Sequence, residues 1–305
     1  MKTLTILDGG MGRELKEIGA PFSQPLWSAQ ALIEAPDLVS QAHQNFVDAG
    51  AEILITNSYA CVPFHLGESL FEQRGFELAA LSGELAKAVA DNAPHTVKVA
   101  GAIPPPFGSY RPDLFKVEEA APIIQTLYDA QDPNIDLWIA ETICSLQEFD
   151  SIHAVLKHSH KPCYYAFSLE DTKGDFANIR SGESVADAIK LACQSNAKGI
   201  MFNCSVPEVM DQAIIDAKKV IDAKKVIDEL GSGLEIGVYA NNFAPISSEH
   251  KANDMLQEMR ELDGQGYLTY AKRWHALGAN IVGGCCGIGP KHIQVLADWK
   301  RSIQS

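Results

Sequence analysis

Two cysteines stand side by side in "NIVGGCCGIGPKHI", residues 280–293, and a third lies in "FNCSVPE", residues 202–208. Three thiolates suit Zn²⁺, which binds sulfur tetrahedrally at about 2.3 Å. Cys204, Cys285 and Cys286, with no evident fourth protein ligand, would leave one coordination position open, the catalytic kind of site. Taken alone, Cys285-Cys286 reads equally as a vicinal disulfide or as a pair of core thiols; Cys204, at the end of an apolar run, turns the balance toward metal. Gly283, Gly284, Gly287 and Gly289 would let the backbone bend and a ligand come close. Cys61, Cys144, Cys163 and Cys193 are expected to be small apolar fillers. The nine histidines make no ligand spacing on one helix and are expected mostly at the surface. Asp8 and Glu141 close apolar runs, where a carboxylate either caps a helix, pairs with a buried arginine, or grips a substrate ammonium. Trp27, Tyr59, Phe107 and Tyr110 fall near the same run ends, where an aromatic ring either packs or faces a cationic ligand.

Such groups converge only if the chain brings its run ends together. Eight short apolar runs recur along it: 3–7, 51–56, 97–103, 136–142, 163–169, 199–203, 235–240 and 279–284. Their continuous apolar character is that of strands buried on both faces. Stretches with apolar residues three and four apart follow each run, at 37–49, 70–93, 117–131, 145–158, 184–196, 207–230, 266–277 and 290–303. Eight strand–helix units predict a (β/α)8 TIM barrel, an α/β fold, with the site at the C-terminal strand ends. In that ring the sixth and eighth strands are next-but-one neighbours, close enough for one ion to bridge Cys204 and Cys285-Cys286. A doubly wound sheet is the competing architecture, but "DGGMGREL" has Leu15 where the dinucleotide fingerprint needs its third glycine. Pro36, Pro207 and Pro290 mark helix starts, and Gly231 and Gly278 follow helix ends.

No linker divides the chain, so residues 1–305 are expected to form a single domain. The proline-rich segment 102–113 reads as a stiff loop, and 241–266 as a long loop able to act as a lid. "IDAKKVIDAKKV", 215–226, is a tandem six-residue repeat. Six residues turn a helix by about 600°, so the insert rotates the face by about a third of a turn. It is expected to be tolerated on a solvent-facing helix.

A net charge of −14 disfavours nucleic acid and anionic membranes, both of which need a basic face. No apolar run reaches the roughly 20 residues of a membrane span, and the N-terminal run is too short for a signal peptide. Scattered cysteines, odd in number at seven, fit free thiols in a reducing compartment. The expectation is a cytoplasmic protein.

"DGGMGREL", "ITNSY", "DLWIAETICSLQE", "FNCSVPE" and "IVGGCCGIGPKHI" occur in that order, from Asp8 to His292. With them the chain resembles the homocysteine S-methyltransferase family, zinc enzymes whose methyl donors are S-methylmethionine, S-adenosylmethionine or betaine. The resemblance implies Cys204, Cys285 and Cys286 as zinc ligands, and Asp8, Gly9, Glu141 and Asn203 as homocysteine contacts. It leaves Trp27, Tyr59 and Tyr110 as candidate walls for the donor. It further implies methyl transfer giving methionine, with the substrate's own zinc-ionised thiolate as nucleophile and no separate protein base. Thr142 stands where the betaine branch has a tyrosine, and the betaine enzymes' C-terminal extension is missing, which favours a sulfonium donor. Ile288 replaces a frequent threonine, and "IPPPFG" replaces the common "GPYG". Two other readings compete: a barrel binding a phosphorylated substrate at the glycine-rich eighth loop, and a non-enzymatic zinc or redox thiol protein.

Overall fold

Each of the eight apolar runs becomes a parallel strand. They are β1 Thr5–Ile6, β2 Ile53–Ile55, β3 Lys98–Ile103, β4 Leu137–Ile143, β5 Cys163–Ser168, β6 Gly199–Asn203, β7 Glu235–Tyr239 and β8 Ile281–Val282. The structure, a computed structural model, describes residues 3–228, 233–245 and 259–304. Strand order β1-β8-β7-β6-β5-β4-β3-β2, with a parallel bridge from Leu7 to Ile53, closes the sheet into the expected (β/α)8 barrel. β4 and β5 are buried at every position, as a sheet covered on one face by helices and filled on the other requires.

Alternation along the strands sorts the side chains. Leu137 and Ile139 of β4, Ala166 of β5 and Met201 of β6 fill the barrel interior. Trp138 and Ala140, Phe167 and Phe202 point outward into the larger core beneath the helices. Burying a large apolar side chain in either layer is worth roughly 1.5–3 kcal/mol. The two-residue period then carries Glu141, two places after Ile139, onto the interior side at the barrel's C-terminal mouth.

The outer ring is α3 Pro36–Asp48, α5 Glu68–Asp91, α6 Val117–Gln131, α7 Leu146–Leu156, α8 Val185–Gln194, α9 Met210–Asp228, α10 Gly264–Leu277 and α11 Pro290–Gln304. α3 buries Val39, Ala42, Phe46 and Val47, the stripe its periodicity predicts. Ser145, Ser184 and Asp263 cap α7, α8 and α10 by accepting a backbone N–H three residues on. Pro36 and Pro290 open α3 and α11, and Gly278 ends α10 at φ 127°. Gly231 lies outside the described residues. Three short helices were not expected: α1 Met11–Glu17, α2 Ala29–Glu34 and α4 Pro63–Leu66. Each is too short to show a helical period, and they cluster on the loops after β1 and β2. Among the described residues no helix is long and apolar enough to cross a membrane.

The tandem repeat lies within α9, and its expected solvent-facing setting needs correction. Ala217 and Asp216 of the first copy are buried, and Asp216 accepts the Ala177 N–H at 2.9 Å. Their counterparts in the second copy, Ala223 and Asp222, have turned outward, Asp222 pairing with Lys218 at 2.5 Å. The rotation follows from helix geometry. The helix carries a buried stripe of Ala213, Ile214, Ala217 and Ile221, so only part of the repeat faces water.

For the 241–266 loop, residues 246–258 lie outside the described residues, and the lid expectation falls largely on them. Its described ends are pinned. Phe243 bridges Met259, and Arg260 grips Glu208 through two bonds of 2.9 and 2.5 Å.

Candidate metal and substrate site

Cys204 follows β6 and Cys285-Cys286 follow β8, and their sulfurs all lie within 4.8 Å of one another. Cys204 and Cys285 are in contact as a disulfide pair with Cα atoms 5.8 Å apart, while the Cys286 sulfur is 4.0 Å from that of Cys285. Cys204 sits at φ 49°, a left-handed conformation that a non-glycine residue keeps only when its surroundings impose it. Here they do. Ser205 Oγ accepts the Leu169 N–H at 2.8 Å and donates to the Asn203 carbonyl at 3.0 Å. Asp171 receives the Val206 N–H at 2.9 Å.

The double-cysteine turn is held from both neighbouring strands. The Cys285 N–H donates to Ala240 and the Gly284 N–H to Asp8, both at 2.9 Å, and the Asn242 N–H donates to Cys286 at 2.8 Å. A Cβ on Gly10 would come within 2.6 Å of the Cys285 carbonyl oxygen, and Gly287 lies at φ +81°. Gly10 is therefore required by backbone packed on backbone beside the thiols, and Gly287 by its left-handed φ.

Next to the sulfurs stand two carboxylates without a cation among the described residues. Asp8 is 1% exposed; one oxygen accepts the Ile55 N–H at 2.8 Å and the other, Oδ1, has no partner. Glu141 is 7% exposed and accepts the Tyr239 hydroxyl at 3.2 Å. Burial, reinforced by Glu141's charge, holds the Asp8 carboxyl well above the usual range. Burial likewise pushes Glu141 up to about 7, against the pull of the Tyr239 hydroxyl. Buried carboxylates so starved of positive charge form a ready site for an ammonium group. The helix-cap and arginine-partner readings of these two residues do not hold.

Sulfurs and carboxylates share one cavity of about 220 Å³, whose wall also includes Gly9, Trp27, Tyr59 and Tyr110. Tyr59 bonds Ser109 at 2.6 Å, and Arg180 lies 5.2 Å from the centre of the Tyr110 ring. Burial pushes the Cys286 thiol up to about 11, opposed by the positive charge of Arg13.

The homocysteine S-methyltransferase family profile matches residues 5–299. The chain belongs to this family. It is 28% identical to the homocysteine S-methyltransferase YbgG of Bacillus subtilis, covering 99% of this chain and 96% of that protein. It is 26% identical to a selenocysteine methyltransferase of Astragalus bisulcatus, over 98% of this chain and 93% of that one. Among solved structures it superposes on the metallated form of the Escherichia coli homocysteine methyltransferase MmuM with a TM-score of 0.76 at 26% identity, covering 98% and 96% of the two chains. The oxidised form of MmuM gives the same score and identity.

For a homocysteine S-methyltransferase the donor set fits a thiophilic metal. Two sulfurs on one tetrahedral zinc lie about 3.8 Å apart, given Zn–S of about 2.3 Å, and Cys285 and Cys286 are separated by 4.0 Å. Cys204 and Cys285 must both be reduced to serve as ligands, since the thiolate is the binding form. The non-enzymatic reading falls with family membership, and the buried Asp8 and Glu141 make the eighth-loop end of the cavity a poor host for phosphate.

Several expectations change. Asn203 does not line the cavity. Its Oδ1 accepts the Thr142 N–H and its amide donates to Thr142 Oγ1, both at 3.1 Å, which holds Thr142 at φ 57° just after Glu141. Phe107 is off the wall as well, packed edge-on against Phe115 at 5.8 Å. His43 and His65 are buried, not at the surface; desolvation lowers them to about 3 and about 4, so both are neutral at pH 7. Cys61, Cys144 and Cys163 are buried as expected, and Cys193 is half-buried. Among the wall residues that sequence reasoning missed are Arg13, Lys16, Phe22, His65, Tyr239 and Phe243. Tyr239 was findable, because strand alternation places it inward; Arg13 and Lys16 were not, because they ride on the unexpected α1.

Proposed function

We propose that this chain transfers a methyl group from a sulfonium donor, S-methylmethionine or S-adenosylmethionine, to the thiol of L-homocysteine, giving methionine. Cys204, Cys285 and Cys286 would hold zinc, and residues 1–305 would act as one homocysteine-binding barrel domain in a reducing, cytoplasmic setting. The observation that carries this reading is the convergence of three sulfurs, within 4.8 Å, beside two buried carboxylates that have no cation among the described residues. When bound, zinc supplies the Lewis acidity that ionises a coordinating thiol near neutral pH.

The protein's own residues do the rest. Asp8 and Glu141 receive the homocysteine ammonium, Asp8 through its unpartnered Oδ1, and fix the amino acid by its head group. Gly9, whose missing Cβ lets the end of β1 pack against the Ile288 carbonyl, brings its backbone to the cavity wall beside that head group. Asn203 positions Glu141 and Cys204 by clamping Thr142 between them. Trp27, Tyr59 and Tyr110 offer ring faces to a cationic donor. Attack of a thiolate on a sulfonium cancels opposite charges, so a dry, aromatic-walled cavity favours the transition state over the separated ions. Alignment of the two substrates supplies several more kcal/mol of the roughly 7–11 available from proximity. No protein base is needed.

The test is a donor panel, S-methylmethionine, S-adenosylmethionine and betaine, at fixed homocysteine with zinc quantified in the same preparation. The sulfonium compounds should turn over in zinc-replete protein. Cys285→Ala should lose zinc and at least about a thousandfold in kcat/KM, since a metal's charge stabilisation is worth several kcal/mol. A fully active, zinc-replete Cys285→Ala variant, or turnover with betaine alone, would overturn the proposal.

A further inference from the structure

The cavity has a second charged end. Arg13 and Lys16 lie on its wall, one turn apart on the same face of α1. Arg74, Arg111, Arg180, Arg260, Arg273 and Arg301 each meet a carboxylate. Arg13, the remaining arginine, meets none among the described residues; its guanidinium lies 6.0 Å from the centre of the Phe243 ring. In a chain of net charge −14, an arginine in a cavity without an acidic partner is an unmet demand for an anion.

We propose that Arg13, assisted by Lys16, anchors the carboxylate of the methyl donor, so that this pocket selects donors bearing a carboxylate over sulfonium ions without one. This inference rests on the methyltransferase reading above. The assignment to the donor, and not to homocysteine, follows from where the two ends lie. Its carboxylate and ammonium share one carbon, so with the ammonium on Asp8 and Glu141 the carboxylate stays in the buried interior. Arg13 is half-buried and Lys16 exposed, which places this end at the mouth. Cys286, Glu141 and Arg13 all line this one cavity. A donor held by its carboxylate at the mouth would extend its sulfonium past Phe243 toward the sulfurs. Arginine's planar fork suits that carboxylate in a way a single ammonium does not.

The test is titration calorimetry of the full-length protein with S-methyl-L-methionine and with its carboxamide, alongside donor and homocysteine KM values. Wild type should bind the acid at least about tenfold more tightly than the amide, the range of a charge-assisted hydrogen bond. Arg13→Gln should bring the acid down to the amide's affinity and raise donor KM while leaving homocysteine KM in place. Arg13→Lys should retain part of the preference, and Lys16→Gln should cost less than Arg13→Gln. Equal wild-type affinity for acid and amide, no binding of either, a loss shared by both ligands in Arg13→Gln, or a rise in homocysteine KM instead would each overturn the assignment. If the acid preference depends on Arg13 but no methyl reaches homocysteine, the anchor stands and the proposed reaction falls.

Discussion

Strand β4 carries a carboxylate at each end, and the two have opposite fates. Asp136, just before its first residue, accepts the Val99 N–H at 2.8 Å and settles the start of the neighbouring strand. It is exposed, so water meets its remaining demand, and its companions at the bottom of the barrel have cations. Glu52 accepts the Ile6 N–H at 2.8 Å and Lys300 at 2.5 Å, and Glu235 takes the Tyr164 hydroxyl at 2.7 Å with Lys198 at 3.4 Å. At the mouth, Glu141 has one hydroxyl and Asp8 one backbone N–H, with no cation for either among the described residues. The same residue type thus closes the structure at one end and awaits a partner at the other. Unmet polar demand, not residue identity, separates the working end of the barrel from its supporting end.

Exchanging the charge at each end should therefore produce opposite phenotypes. The largest effect is expected at the mouth. Glu141→Gln or Asp8→Asn should raise homocysteine KM by about ten- to a hundredfold, the worth of a charge-assisted bond to an ammonium. Glu141→Gln should also stabilise the fold at pH 8. A carboxyl raised from 4.5 to about 7 incurs a folding penalty that is absent below pH 4.5 and complete above about pH 7. Relief on the order of 1–3 kcal/mol should appear in denaturant melts at pH 8 and vanish at pH 4. A Glu141→Gln enzyme with wild-type KM would erase the distinction between the two ends.

A smaller effect concerns pH. Homocysteine KM should fall as pH rises through about 7, because Glu141 then becomes the anion that an ammonium needs. Tyr239→Phe removes the hydroxyl that favours the charged form, so the midpoint of that fall should move upward, by about half a unit to one unit. An unmoved midpoint would show that another group governs the profile. The smallest effect belongs to the bottom. Glu52→Gln should cost about 1 kcal/mol or less, because the Lys300 pair is partly solvent-screened. Its homocysteine KM should match wild type, and a shift there would mean that the two ends are coupled.

Much of this was legible in the chain. The strands could be read because segments buried on both faces must be apolar throughout, and the observed strands fall on the expected runs, with β4 extending one residue past its own. The cysteines and carboxylates could be placed at one rim because a barrel gathers all its strand ends there. Side-chain direction was harder to read. Asn203 sits beside Cys204 in sequence, yet it turns to clamp Thr142 and leaves the cavity wall. His43 and His65 look like surface residues by type and are buried by their helices. In α9 the repeat's second copy presents a different face from the first, which only the packing of the first copy reveals.

By itself, then, the sequence determined the number and order of strands and which reactive side chains share a rim, because hydrophobic periodicity is a local property that survives without coordinates. The tertiary structure decided which charges go unanswered. Whether a carboxylate or a guanidinium has a partner depends on residues tens of positions away, and on short helices such as α1 that are too short to show a helical period in the sequence. Those decisions make Asp8, Glu141 and Arg13 the residues on which the chemistry of this pocket turns.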